Sequence, residues 1–187
     1  MNAKNRGYLK IESASRAFNF DANFKGKTVL DIGSSTGGFT AYALDHGAAK
    51  VIAVEKGTNQ MQPPLRFDPR IDLHEKTDIF DFTSTSKPDI IIADVSFISL
   101  TKVLKYAKLN LTRPGTQFLV MLKPQFEATP AQLNKGVVKN EAIRRGLIKH
   151  FEYWLKQNNF LILAKKDNAL PGKTGNIERF YWLALAK

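Results

Sequence analysis

The 187-residue chain predicts an open α/β sheet, mostly parallel and seven-stranded, with helices on both faces. Three observations predict it. Short apolar runs bounded by turn residues recur with helical stretches between them, the pattern of βαβ units. Four of these runs are apolar almost throughout, as strands covered on both faces must be. One of them leads through a glycine-rich turn straight into a helix, the arrangement that places backbone N–H groups at a ligand.

In chain order, residues 28–31 form the first strand and residues 37–46 a helix that stops at Gly47, where glycine suits a left-handed helix end. Strands follow at 51–55, 71–74 and 90–94. A helix over 100–111 ends before Arg113-Pro114-Gly115, and residues 117–122 make the fifth strand. Residues 126–139 show no period, carry Pro130 and Gly136, and read as a long loop on the ligand side of the sheet. Residues 141–158 place Ile143, Leu147, Ile148, Phe151 and Leu155 at helical spacing. Strands over 160–165 and 178–186 hold more aromatic and charged residues and include an antiparallel edge. Residues 1–24 are an N-terminal segment with no element assigned.

Composition bounds the function. Lysine and arginine number 28 against 17 acids, so the net charge is +11 and points to a polyanionic partner, nucleic acid first. There is no cysteine, which excludes disulfides, thiolate zinc sites and cysteine nucleophiles. His46, His74 and His150 form no ligand pattern, so no metal is expected. No run reaches the roughly 20 apolar residues of a membrane span, and the basic start at Lys4, Arg6 and Lys10 lacks the apolar core of a signal peptide. A cytoplasmic protein without membrane contact is expected.

The turn after the first strand reads Asp31-Ile32-Gly33-Ser34-Ser35-Thr36-Gly37-Gly38-Phe39. It lacks the Gly-Lys-Ser/Thr of a phosphate-binding P-loop and the Gly-x-Gly-x-x-Gly spacing of a dinucleotide site. An acid followed by Gly-x-x-x-Gly-Gly fits the S-adenosylmethionine loop of methyltransferases. Glu55 ends the next strand, where a carboxylate accepts both ribose hydroxyls of an adenosine. Asp78, after the third strand, is placed for an adenine amino group, and Asp94 ends the fourth strand beside the same ligand. Phe39 and Phe97 stand where they contact donor or nucleobase, or pack the core.

Asp94-Val-Ser-Phe-Ile-Ser-Leu100, Leu122-Lys-Pro-Gln-Phe-Glu127 and Gly175-Asn-Ile-Glu178, with the glycine turn, resemble the TlyA family, also called hemolysin A, of FtsJ-like ribosomal RNA ribose methyltransferases. The resemblance covers about residue 5 to the C-terminus. It implies a Rossmann-like class I methyltransferase fold, S-adenosylmethionine as donor, and 2′-O-methylation of ribosomal RNA, at cytidines. The related enzymes use a Lys-Asp-Lys-Glu tetrad, whose counterparts here are Lys10, Asp94, Lys123 and Glu178. Lys123 is then the group that deprotonates or orients the hydroxyl, with Asp94 and Glu178 positioning it and Lys10 steadying ribose or phosphate.

The family usually carries an N-terminal S4 RNA-binding domain. The sequence reads instead as one FtsJ-like domain over residues 1–187, which leaves RNA targeting to ribosomal subunits, to a separate RNA-binding partner, or to its own basic residues Lys4, Arg6, Arg16, Lys135, Lys139, Arg144 and Arg145. Asn5 and Tyr8 replace the family's serine and second glycine near Lys10, and Asn168-Ala-Leu-Pro171 replaces its Ser-Pro-Ile. Two rival readings share the donor site: a methyltransferase for small molecules, which would not bind RNA, and a silent RNA-binding assembly factor, which would bind RNA and transfer no methyl. Lysis of membranes is not supported, because no basic amphipathic helix exposes a large apolar face.

Overall fold

A computed structural model describes residues 5–170, 172 and 175–186. Seven strands, β1 Thr28–Ile32, β2 Lys50–Val54, β3 Ile71–His74, β4 Ile90–Ala93, β5 Gln117–Leu122, β6 Phe160–Asp167 and β7 Arg179–Leu185, form one sheet in the order β3-β2-β1-β4-β5-β7-β6. β1 to β5 pair in parallel, and β7 runs antiparallel to both its neighbours. The expected antiparallel edge is therefore an inner strand. Phe180, Tyr181 and Leu183 of β7 are buried on alternating faces, whereas β6 exposes Leu161, Leu163, Lys165 and Lys166 and takes the edge.

Helices α2 Gly38–Asp45, α3 Leu100–Asn110 and α4 Glu141–Gln157 lie within a residue of their expected ends. Ser99 and Asn140 cap α3 and α4 by accepting backbone N–H groups of their first turns. One core packs α3 and α4 on the sheet around Phe118, Phe151 and Tyr181, and a second packs the other face around Tyr42, Phe20, Phe24 and Met121.

The N-terminal segment is a helix, α1 Arg6–Phe18. The side chain of Asn5 accepts the N–H of Tyr8 at 2.9 Å to start it, and Asn19 ends it in the left-handed region. Its buried face, Tyr8, Lys10, Ile11, Ala14 and Ser15, lies on α2. Close approach there depends on two glycines: a Cβ added at Gly38 would stand 2.9 Å from Gly7 Cα. This crossing carries Lys10 from the surface of its helix into the end of the sheet. Residues 126–139 form the expected loop, but contain a 3-10 turn at Pro130–Gln132 and a tight hairpin closed between Asn134 and Val137. Among the described residues no helix is long and apolar enough to cross a membrane.

Candidate active site

Strand ends, not helices, place most of the chemistry. At the carboxyl ends of β1, β2, β4 and β5 lie the glycine turn, Glu55, Asp94 and Lys123, in the crevice where open α/β sheets bind ligands. Two cavities share this crevice. The first, about 540 Å³, is lined by Arg6, Lys10, Gln125, Phe126, Gly172 and Glu178 at its own end. The second, about 780 Å³, runs past Val54, Glu55, Asp78 and Ile79. Gly33, Ser35, Asp94, Ser96, Phe97 and Lys123 line both and form their common wall.

The glycine turn is thin and rigid. Gly33 and Ser34 donate backbone N–H to Val54 O, and Gly37 donates to Ser34 O at 2.8 Å. Gly37 has φ +90, a backbone conformation that strains any side chain, and a Cβ there would also displace Leu65 Cδ1, 2.8 Å away. Ser34 Oγ is buried with no hydrogen-bond partner among the described residues. Of the residues expected to hold a cofactor, Gly33, Ser34, Ser35, Thr36, Gly38 and Phe39 line the first cavity. Gly37 lines neither; its part is in the bend.

Asp31 stands apart from the other residues expected at the cofactor. Its side chain is wholly buried behind the turn and reaches neither cavity. Thr40 donates its hydroxyl to Asp31 Oδ2 at 2.6 Å, tying the end of β1 to α2. Burial pushes this carboxyl up to about 7, and the charges of Asp94 and Glu55 add to the rise, while the Thr40 bonds oppose it. Glu55 accepts the Ser35 N–H (2.9 Å) on one oxygen and the Gly57 N–H (2.7 Å) on the other, which fixes the carboxylate at the wall of the second cavity. Asp78 lines that cavity too, but Lys56 Nζ stands 2.9 Å from one oxygen and the Phe80 N–H donates to the other. The Lys56 contact holds the Asp78 carboxyl below its ordinary range.

The four tetrad counterparts converge as two ion pairs. Lys10 Nζ donates to Glu178 Oε2 at 2.6 Å, with both side chains buried. Asn168 Nδ2 reaches the same oxygen at 3.4 Å. Lys123 Nζ lies 2.6 Å from Asp94 Oδ1 in an ion-pair contact without hydrogen-bond angles, and donates to Ser96 Oγ at 2.8 Å. Above this second pair, Phe97 is 92% exposed with φ +64 and its ring lies 5.1 Å from that of Phe126. Phe39 is buried against Phe180 and serves mainly the core.

Ser96, Gln125 and Glu127 were not expected. Glu127 accepts the Leu100 N–H (2.7 Å) and the Ser99 hydroxyl (2.6 Å), so it clamps the turn carrying Phe126 to the turn carrying Phe97. Gln125 Oε1 is buried with no partner among the described residues. All three sit inside the two motifs already singled out, and that proximity was the available signal.

The basic candidates separate. Arg6 lines the first cavity, and Lys135, Lys139 and Arg145 are exposed. Arg16 is exposed but pairs with Glu12 within α1 at 2.9 Å. Arg144 is not a surface cation: it is 6% exposed, pairs with Asp167 at 2.7 Å and donates to Ile177 O. Lys4 lies outside the described residues. No group of three His, Asp or Glu side chains suited to a metal occurs among the described residues.

The strand order, the inner antiparallel β7 and the bipartite crevice define a class I S-adenosylmethionine-dependent methyltransferase fold. A solved structure named as such a methyltransferase, from Listeria monocytogenes, shares this fold at TM-score 0.66 and 18% identity, over 95% of this chain and 100% of that one. The profile of the FtsJ-like methyltransferase family matches residues 3–185, and the chain belongs to that family. It is 38% identical over 160 residues to the 23S rRNA (cytidine-2′-O)-methyltransferase TlyA of Campylobacter jejuni, covering 84% of this chain and 62% of that protein. A solved hemolysin-named structure from Streptococcus thermophilus superposes at TM-score 0.92 with 31% identity, over 100% of this chain and 68% of that one. The chain thus spans about three fifths of the length of the Campylobacter jejuni relative.

Proposed function

We propose that the chain methylates a ribose 2′-hydroxyl of ribosomal RNA, at a cytidine, with S-adenosylmethionine as donor. One observation carries this reading: the Asp94–Lys123 pair stands in the wall common to both cavities, where a donor in one and an acceptor in the other meet. The second cavity fits the donor. Its volume suits a small cofactor, Glu55 offers a fixed carboxylate for ribose hydroxyls, and the apolar Val54, Ile79 and Val95 flank a planar base. Gly33 and Ser35 of the glycine turn line this cavity too, close to the first turn of α2. When bound, S-adenosylmethionine supplies an electrophilic methyl group on a sulfonium.

The chain's own residues then handle the acceptor in the first cavity. Lys123, held by Asp94 and Ser96, orients the hydroxyl; to act as the base it first releases its own ammonium proton to solvent, and the free amine then takes the hydroxyl proton as the oxygen–methyl bond forms. Positioned proton transfer of this kind contributes roughly 10²–10⁴-fold to rate. Glu178 and Lys10, locked together, form the far wall and contact the ribose or its phosphate. Phe97, almost wholly exposed at the mouth, is placed to stack on the nucleobase. Arg6 and the exposed cations beyond it supply phosphate contacts.

The test is transfer of radiolabelled methyl from S-adenosylmethionine to ribosomal subunits and to naked ribosomal RNA, beside Lys123→Ala. Label that survives alkali at one dinucleotide and disappears in the variant is expected. Donor binding with no transfer to either RNA would overturn the rRNA reading, and transfer to small acceptors alone would favour the small-molecule enzyme.

A further inference from the structure

Asn176, two residues before Glu178, is 2% exposed, yet its side chain serves a loop rather than the cavity. Its Oδ1 accepts the Val138 N–H and its Nδ2 donates to Gly136 O, both at 3.0 Å. Its own carbonyl accepts the Gly172 N–H at 2.8 Å, and Gly172 lines the acceptor cavity. One buried amide therefore joins the wall of the acceptor cavity to the hairpin at residues 134–137.

That hairpin is stiff in its own right. Asn134 and Val137 exchange N–H···O bonds of 2.8 and 3.0 Å around Lys135 and Gly136, which have φ +48 and +80. Two successive positive φ values mark a type I′ turn, the tightest way to reverse a strand pair. Loops at the mouth of a site are usually mobile, and here one is fixed by its own turn and by a buried side chain. What it presents is charge. Lys135 at the tip and Lys139 just beyond are exposed, and neither has an ion-pair partner among the described residues, whereas Lys50, Lys56, Arg66 and Arg70 each hold a carboxylate.

We infer that residues 134–139 are a fixed phosphate-binding finger that grips the RNA strand flanking the acceptor nucleotide, and that Asn176 is the positioning residue setting the finger's place relative to Glu178. The inference rests on the RNA reading above and deepens it. A rigid finger holds the backbone at a set offset from the acceptor cavity, so strand register follows from protein geometry rather than from base contacts.

The experiment titrates a fluorescein-labelled single-stranded oligocytidylate with the full chain at several KCl concentrations, following anisotropy, while calorimetry follows S-adenosylmethionine binding separately. If both lysines touch phosphate, the double variant Lys135→Gln/Lys139→Gln lowers the slope of log affinity against log salt by about 0.7 per lysine. Gly136→Ala keeps both charges and meets open space, so it strains only the turn; weaker RNA binding with donor affinity unchanged is expected. Asn176→Ala should do the same. A lysine double variant with the parent's affinity and salt slope overturns the inference, as does a parent that does not bind the oligonucleotide. Loss of donor binding or of methyl transfer in the parent would instead count against the catalytic reading and leave this result standing.

Discussion

Lysine 10 and glutamate 178 stand 168 positions apart in the chain and 2.6 Å apart in space. Their side chains are 9% and 3% exposed, so neither charge is well hydrated, and each depends on the other. Removing one partner of such a pair leaves an uncompensated buried charge and costs about 3–5 kcal/mol, whereas replacing both with apolar groups of similar size is often neutral or favourable. Lys10→Met is therefore expected to destabilise the chain by about 3–5 kcal/mol, and Lys10→Met/Glu178→Met to regain most of that. For a chain of this length each kcal/mol moves the midpoint by about 2–4 °C, so the single variant melts roughly 6–20 °C below the parent. Thermal unfolding followed by circular dichroism reads both. Equal losses in the single and double variants would show that the contact is packing rather than charge compensation. A Lys10→Met protein within about 1 kcal/mol of the parent would refute the buried-pair reasoning altogether. Neither variant should transfer methyl groups, because both lose the far wall of the acceptor cavity.

Three further outcomes are expected. Phe97→Ala, at a 92% exposed position, leaves the melting midpoint unchanged but raises KM for RNA roughly 5- to 100-fold, the worth of about one stacked base; an unchanged KM rejects stacking. Glu127→Gln weakens the clamp on α3 by about 0.5–2 kcal/mol, as loss of a helix cap does, and lowers kcat while calorimetric donor affinity holds; an unaltered kcat would reduce Glu127 to a stability element. Asp31, whose carboxyl ionises near 3.8 when unfolded and about 7 when folded, binds more protons in the folded state between those values, so its contribution to stability falls as pH rises through that window. Asp31→Asn should flatten that fall in a series of melts from pH 4 to 7. Parallel profiles for parent and variant would mean that another group sets the slope.

The sheet and the glycine turn were legible because they obey short-range rules: runs such as Ile90-Ile91-Ile92 must be covered on both faces, and a strand entering a glycine turn must leave as a helix. What the sequence hid was placed by distant polar partners. The buried face of α1 interleaves Lys10 and Ser15 with Tyr8, Ile11 and Ala14, so its apolar stripe is broken, and only Glu178 and Asp21 in the folded chain make those two residues tolerable inside. Arg144 was misplaced for the converse reason. It shares the helical stripe of Ile148, Phe151 and Leu155, so its spacing points inward although an arginine ordinarily faces water. Asp167 and the carbonyl of Ile177, both remote in sequence, satisfy it there. Lys10 and Arg144, each a cation on a buried stripe, tie their helices to the loop that carries Glu178. A cation at a core position was thus the informative irregularity: in a chain so rich in basic residues, the ones that break the apolar pattern build the site, and the ones that respect it are left at the surface, where an RNA backbone can reach them.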